Sequence, residues 1–142
     1  WLYDAGWEEA MDGQGSRDMA HLRSFFASRR WYDLVPDLDH TLVTAGLGEF
    51  LGLDYLAAAR TSDHSSMIAY MPTARAITVD LARLSGALVR AWWYNPRTGV
   101  AELAGDYAGG SSLELAPPGE GDWALAIDDA AQRLPAPGGS SG

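Results

Sequence analysis

From Ser16 the chain places Met19, Leu22, Phe25 and Phe26 at helical spacing on one stripe, with Asp18, His21, Ser24 and Ser28 on the other side. This pattern predicts a helix from Arg17 to about Ser28. Ser16 is the expected N-cap, and Asp18 lies in the first turn, where a carboxylate favours the helix dipole. Two Phe side chains on one surface require a partner to bury them. Ahead of the helix, Asp12 to Gly15 is polar and broken by glycine, and Trp7 to Met11 fits a shorter helical turn.

After Arg30 the period changes. Short alternating or β-branched runs, separated by Gly, Pro, Ser and Asp, predict antiparallel strands over Tyr55 to Arg60, Ser66 to Met71, Ala76 to Asp80, Ala87 to Tyr94, Val100 to Ala104, Ser112 to Leu115 and Trp123 to Asp128. The alternation is clearest in the last of these. There Trp123, Leu125 and Ile127 face one way, toward the expected core, and Ala124, Ala126 and Asp128 the other. Thr61 to Ser65, Asn95 to Gly99 and Pro117 to Gly121 read as turns. Between Asp37 and Asp54 the apolar Leu42, Val43, Leu47, Phe50 and Leu51 are interrupted by Gly46, Gly48 and Gly52, which reads as a packed loop. The expected fold is mainly β, an antiparallel β-sandwich of about seven strands preceded by one docked α-helix. Residues 1–30 form a helical segment, 31–131 the sandwich, and 132–142 a flexible Pro/Gly/Ser tail.

Composition narrows the chemistry. The 142 residues include ten Arg, no Lys, no Cys and nineteen Asp plus Glu, for a formal net charge of −9. Such a charge opposes nonspecific binding to nucleic-acid phosphates and to anionic membrane surfaces, so neither partner is expected. Lysine chemistry, disulfides, thiol nucleophiles and thiolate metal sites are excluded. No apolar run approaches the ~20 residues that span a bilayer, and the chain opens at Trp1 with no charged-then-apolar leader. It reads as a piece of something longer.

No G-x-S-x-G elbow or HExxH pair is present, and the many carboxylates sit mostly in turns. Asp33, Asp37 and Asp39 are close enough to ligate Ca²⁺ but lack EF-hand spacing, and turn acids in solvent are the commoner case. His21, His40 and His64 have no metal-ligand spacing, so no metal and no cofactor are expected. The most informative cluster is Trp92, Trp93 and Tyr94. On a strand, Val89, Ala91 and Trp93 share one face, while Arg90, Trp92 and Tyr94 share the other, neighbours about 7 Å apart. Arg90 marks the second face as the wetter one. Trp92 and Tyr94, with Arg90 beside them, are candidates for a flat platform that takes a sugar face or a peptide. Tyr107, in the glycine-rich stretch Gly105 to Gly110, is a candidate extension of it. The commoner fate of such rings is to lie under a loop or a neighbouring domain, and Trp93 is expected in the core.

Four stretches together resemble a known family: SRRWYDLVPD from Ser28 to Asp37, YMPTARAITVDLARLSG from Tyr70 to Gly86, WWYNPRTG from Trp92 to Gly99 and PPGEGDWALAID from Pro117 to Asp128. They look like the C-terminal module of apiosidase-like glycoside hydrolases, a module catalogued as a putative collagen-binding domain of a collagenase. The resemblance covers nearly the whole chain. It implies a β-sandwich directly after a catalytic TIM-type barrel, with Trp7 to Ser28 similar to the last barrel segment and the catalytic carboxylates upstream. No catalytic residue is therefore carried over, and the chain alone is expected to be no enzyme. Trp93, Asn95, Pro96, Arg97 and Gly99 match the family's structural turn motif, Arg97 either pairing with an acid such as Asp122 or reaching the barrel. The expected role is a noncatalytic accessory module that binds carbohydrate. The alternatives are a purely structural domain or a collagen- or protein-binding module. Implied partners are the upstream barrel and a polysaccharide, and the apolar helix stripe would let isolated copies self-associate.

Overall fold

The alternating runs pair into two antiparallel sheets. The computed structural model describes residues 13–49 and 52–139. The short helical turn expected over Trp7 to Met11, the residues Phe50 and Leu51, and the last three residues of the expected tail lie outside these. Among the described residues the chain forms helix α1 (Gln14–Ala27) and nine strands. The strands are β1 (Leu34–Pro36), β2 (Val43–Ala45), β3 (Ala57–Thr61), β4 (Ser66–Met71), β5 (Ile77–Asp80), β6 (Leu88–Asn95), β7 (Val100–Ala108), β8 (Ser112–Leu115) and β9 (Trp123–Asp129). One sheet has six strands in the order β1-β3-β4-β9-β6-β7, and the other three in the order β2-β5-β8. This is the mainly β sandwich that the alternation predicts, with two strands more than the pattern showed. Both extra strands are three residues long, too short for period two to register, and β1 ends in Pro36. β2 lies in the stretch expected as a packed loop. It pairs with β5 across a shift in register, between the pairs Val43–Val79 and Ala45–Thr78.

The central strand β9 pairs with β4 on one side and β6 on the other. Trp123, Leu125 and Ile127 point into the inter-sheet core with Met67, Ala69, Met71, Val89, Ala91 and Trp93, against Val43, Ile77, Val79 and Leu115 of the second sheet. The opposite face of β9 is not solvated. Ala124 and Ala126 are buried in a second cluster with Ile68, Tyr94 and Phe25, because α1 packs across the outer face of the six-stranded sheet. Among the described residues the fold is three layers, helix on sheet on sheet, with α1 covering part of the outer face of the six-stranded sheet.

The helix differs from its expected form in two ways. It starts earlier, at Gln14, with Gly13 as the N-cap and no side-chain cap, so Ser16 lies inside the first turn. No acidic residue occupies that turn, which places Asp18 one position beyond it. The buried face is also rotated. Phe25 and, just past the helix, Arg29 are buried, while Met19 is 68% exposed and Phe26 38%. His21, assigned by the pattern to the polar side, faces the sheet. The reason is that the helix docks through polar anchors as well as apolar area: Tyr94 Oη donates to the His21 carbonyl at 2.8 Å, and His21 Nδ1 lies 3.0 Å from the Pro96 carbonyl.

Candidate functional site

The WYNPRTG stretch builds the β6–β7 hairpin on which α1 sits. Asn95 Oδ1 accepts the Arg97 amide at 2.9 Å, and the Gly99 amide donates to the Asn95 carbonyl at 2.8 Å, closing the turn. Gly99 adopts φ +73°, and a Cβ there would lie 2.7 Å from His21 Cδ2, so only glycine lets the helix approach this closely. Arg97 turns back onto its own domain. Its Nε lies 3.1 Å from Asp122 Oδ1, its Nη2 donates to the Glu120 carbonyl at 2.8 Å, and its guanidinium carbon stands 6.0 Å from the Trp123 ring centroid. The other oxygen of Asp122 accepts Tyr70 Oη at 3.0 Å, and burial, then that carboxylate, pushes the Tyr70 phenol up to about 12. Trp93 is buried and meets Trp123 edge to face at 6.5 Å.

The four candidate ligand residues are not brought together. Arg90, Trp92 and Tyr94 do share the outer face of β6, but Tyr94 is 1% exposed beneath α1, its ring 5.1 Å from that of Phe25. An exposed platform of Trp92 with Tyr94 is therefore not what the helix leaves. Trp92 is half-buried, and its Nε1 is buried without a hydrogen-bond partner among the described residues. Arg90 forms a two-pronged pair with Asp106, its register neighbour on β7, at 2.7 and 2.8 Å. Tyr107 lies on the opposite face. The first part of the glycine-rich stretch, through Ala108, continues β7 past a bulge, since Ala91 pairs with Gly105 but Trp92 with Leu103, leaving Ala104 as the extra residue. The bulge keeps Tyr107 level with core-facing Val89, with its Oη donating to the Ala104 carbonyl at 3.1 Å.

The turn acids act within the fold. Asp37 accepts the amides of Thr41, Leu42 and Val43, and Asp33 is held by Arg30 and Ser62. Asp63 binds Ser65, Thr61 and Arg30, bonds that hold its carboxyl well below the usual range. Among the described residues no three His, Asp or Glu side chains gather in a metal-binding arrangement.

Among the concavities of the described residues are two that the sequence did not mark. An apolar groove of about 420 Å³ runs between α1 and the outer faces of β1, β3 and β4, lined by Leu22, Phe25, Phe26, Pro36, Ile68 and Tyr70 among others. A more polar cleft of about 350 Å³ opens between the sheet edges β7 and β8, with Trp93, Tyr107, Glu102 and Glu114 in its lining. Two aromatics just before β1 pack edge to face at 6.1 Å and are exposed, Trp31 59% and Tyr32 73%.

The family model described as "Putative collagen-binding domain of a collagenase" matches residues 35–128, about two-thirds of the chain. Among solved structures, a chain described as a glycoside hydrolase superposes with a TM-score of 0.77 at 24% identity, over 91% of this chain and 28% of that one. A glycoside hydrolase family 5 structure from Bacteroides vulgatus gives a TM-score of 0.76 at 24% identity, over 88% of this chain and 26% of that one. At this identity the likeness is one of fold, and the chain spans about a quarter of the length of those two. No curated protein matches it.

Proposed function

The chain belongs to the family described as the putative collagen-binding domain of a collagenase, and on that footing we propose that it is a noncatalytic accessory module of a glycoside hydrolase, stabilising a catalytic unit that precedes it. The observation that carries this reading is the apolar groove beside α1. The helix is fastened to the sandwich by Tyr94, His21 and the buried Arg29, so its geometry is fixed, yet Phe26 and the groove wall stay open to solvent. A catalytic unit ahead of α1, a TIM-type barrel of the apiosidase-like kind, would supply the apolar surface that fills the groove and would bring the acid and base. Sugar binding on Trp92 and Tyr94 together forms no part of this reading, because α1 closes over Tyr94.

The test uses the longer protein with and without this module. Removal is expected to lower the melting temperature of the catalytic unit by at least about 5 °C. Phe26→Ser should do the same in the longer protein while leaving the isolated chain almost unchanged. Equal melting temperatures with and without the module would sink the proposal.

A further inference from the structure

We infer that the cleft between β7 and β8 is a binding site for a single pyranoside ring, an inference that rests on the accessory-module reading and adds a ligand class to it. The cleft lies where both sheets end, β7 being the edge of the six-stranded sheet and β8 of the three-stranded one. Trp93 and Leu115, 3% and 7% exposed, close it from below, and Ala104 lies beside them. The volume of about 350 Å³ falls in the range of small-molecule sites.

The local backbone is shaped to present one aromatic ring. Gly105 at the bulge has φ +150°, and a Cβ there would lie 3.0 Å from Tyr107 Oη and 3.1 Å from Cζ, so the absence of a side chain lets the Tyr107 ring lie close over the strand. The bond from Oη to the Ala104 carbonyl fixes the ring in place. Bulges at sheet edges commonly re-aim a side chain in this way.

Two carboxylates line the same cleft, Glu102 and Glu114, both exposed and neither hydrogen-bonded nor ion-paired to a described residue. Most other acids of the domain are engaged, as Asp33, Asp37, Asp63, Asp106, Asp122 and Asp128 show. An apolar floor with an aromatic wall and acceptors at the margin fits a ligand that is itself amphipathic. A pyranoside places its C–H face on the Tyr107 ring and donates hydroxyls to the carboxylates, bonds strengthened by their charge. A compact cation would satisfy the carboxylates but would lose hydration over the floor without a partner there.

The experiment is an amide NMR titration of the 142-residue chain with the methyl glycosides of glucose, galactose, mannose, xylose, arabinose and rhamnose, and with methylammonium as a separate arm. The expected result is saturable shifts with at least one glycoside, confined to residues 102–107 and 113–116. Tyr107→Ala and Gly105→Ala should each weaken that binding at least fivefold, and Glu102→Gln with Glu114→Gln should do likewise without disturbing the fold. Trp31→Ala, an exposed ring beside the opposite edge of the sheet, should leave it unchanged. Shifts with no glycoside, shifts elsewhere, or saturable shifts with methylammonium alone would each overturn the inference. The stabilising role is read separately, from the melting temperature of the longer protein, and survives any of those outcomes.

Discussion

The guanidinium of Arg29 and the carboxylate of Asp128 meet at 2.8 Å with side chains only 1% and 5% exposed. The pair ties the turn after α1 to the outer face of the central strand. Asp128 also accepts Ser66 Oγ at 2.7 Å, and Arg29 donates to the carbonyls of Ser28 and Pro135. The Ser28 hydroxyl in turn accepts the Gly138 amide, so residues 135 and 138 of the Pro/Gly-rich end are held against the helix. Burial raises the Asp128 carboxyl above the usual range, outweighing the downward pull of Arg29 and Ser66.

The two halves of this pair should respond unequally to removal. Arg29→Met strands a buried carboxylate and is expected to cost about 3–5 kcal/mol at neutral pH. Asp128→Asn keeps an acceptor for Ser66 and leaves Arg29 its carbonyl partners, so its loss should be clearly smaller. Urea denaturation of both variants checks this; equal losses would contradict the geometry.

The Asp63 and Asp128 carboxyls are shifted in opposite directions. The Asp63 carboxyl is depressed below its ordinary 3.8, so its contribution to stability is present above that pH and is lost as pH falls through the lower folded value. The Asp128 carboxyl is raised above 3.8, so its contribution is full below that pH and is lost as pH rises through the raised value. Carboxyl-carbon NMR against pH should show Asp63 as the later of the two to protonate on acidification. The deficit of Arg29→Met should also shrink toward low pH, as Asp128 takes up a proton.

Neighbouring phenylalanines should differ sharply. Phe25 is 1% exposed between Phe26 and Tyr94, and Phe25→Ala is expected to cost about 3–5 kcal/mol. Phe26 is 38% exposed, and Phe26→Ser in the isolated chain should cost under about 1 kcal/mol. Sedimentation of the Phe26→Ser variant measures any self-association through this side of the helix, which should fall relative to the parent.

Two glycines with positive φ separate backbone strain from steric contact. Gly110 has φ +87° and open space around its missing Cβ, so Gly110→Ala should cost about 1 kcal/mol from conformation alone. Gly99 has φ +73° and the His21 ring in the way, so Gly99→Ala should lose at least about 1 kcal/mol more. Denaturant midpoints compare them, and equal losses would mean that α1 does not rest on this turn.

Seven of the nine strands, and the inward faces of β6 and β9, were legible in the sequence. Period two is a local property, and Trp123, Leu125 and Ile127 announce a buried face whatever lies across from them. The hairpin turn at Asn95 to Gly99 was legible for the same reason, since Asn, Pro and Gly set backbone geometry within four residues. The fate of the opposite face was settled by contacts between distant segments. The alternation of Arg90, Trp92 and Tyr94 reads as a wet surface, and the strand alone carries no sign that a helix seventy residues earlier will cover one end of it through the Tyr94–His21 bond. Likewise a single extra residue, Ala104, set Tyr107 on the other side of the sheet from Trp92, because a bulge resets the alternation that a linear reading assumes constant. Side-chain direction within a strand is fixed by neighbouring covalent geometry, whereas cover and register are fixed by contacts between segments far apart in the chain, whose pairing emerges only when the whole chain folds.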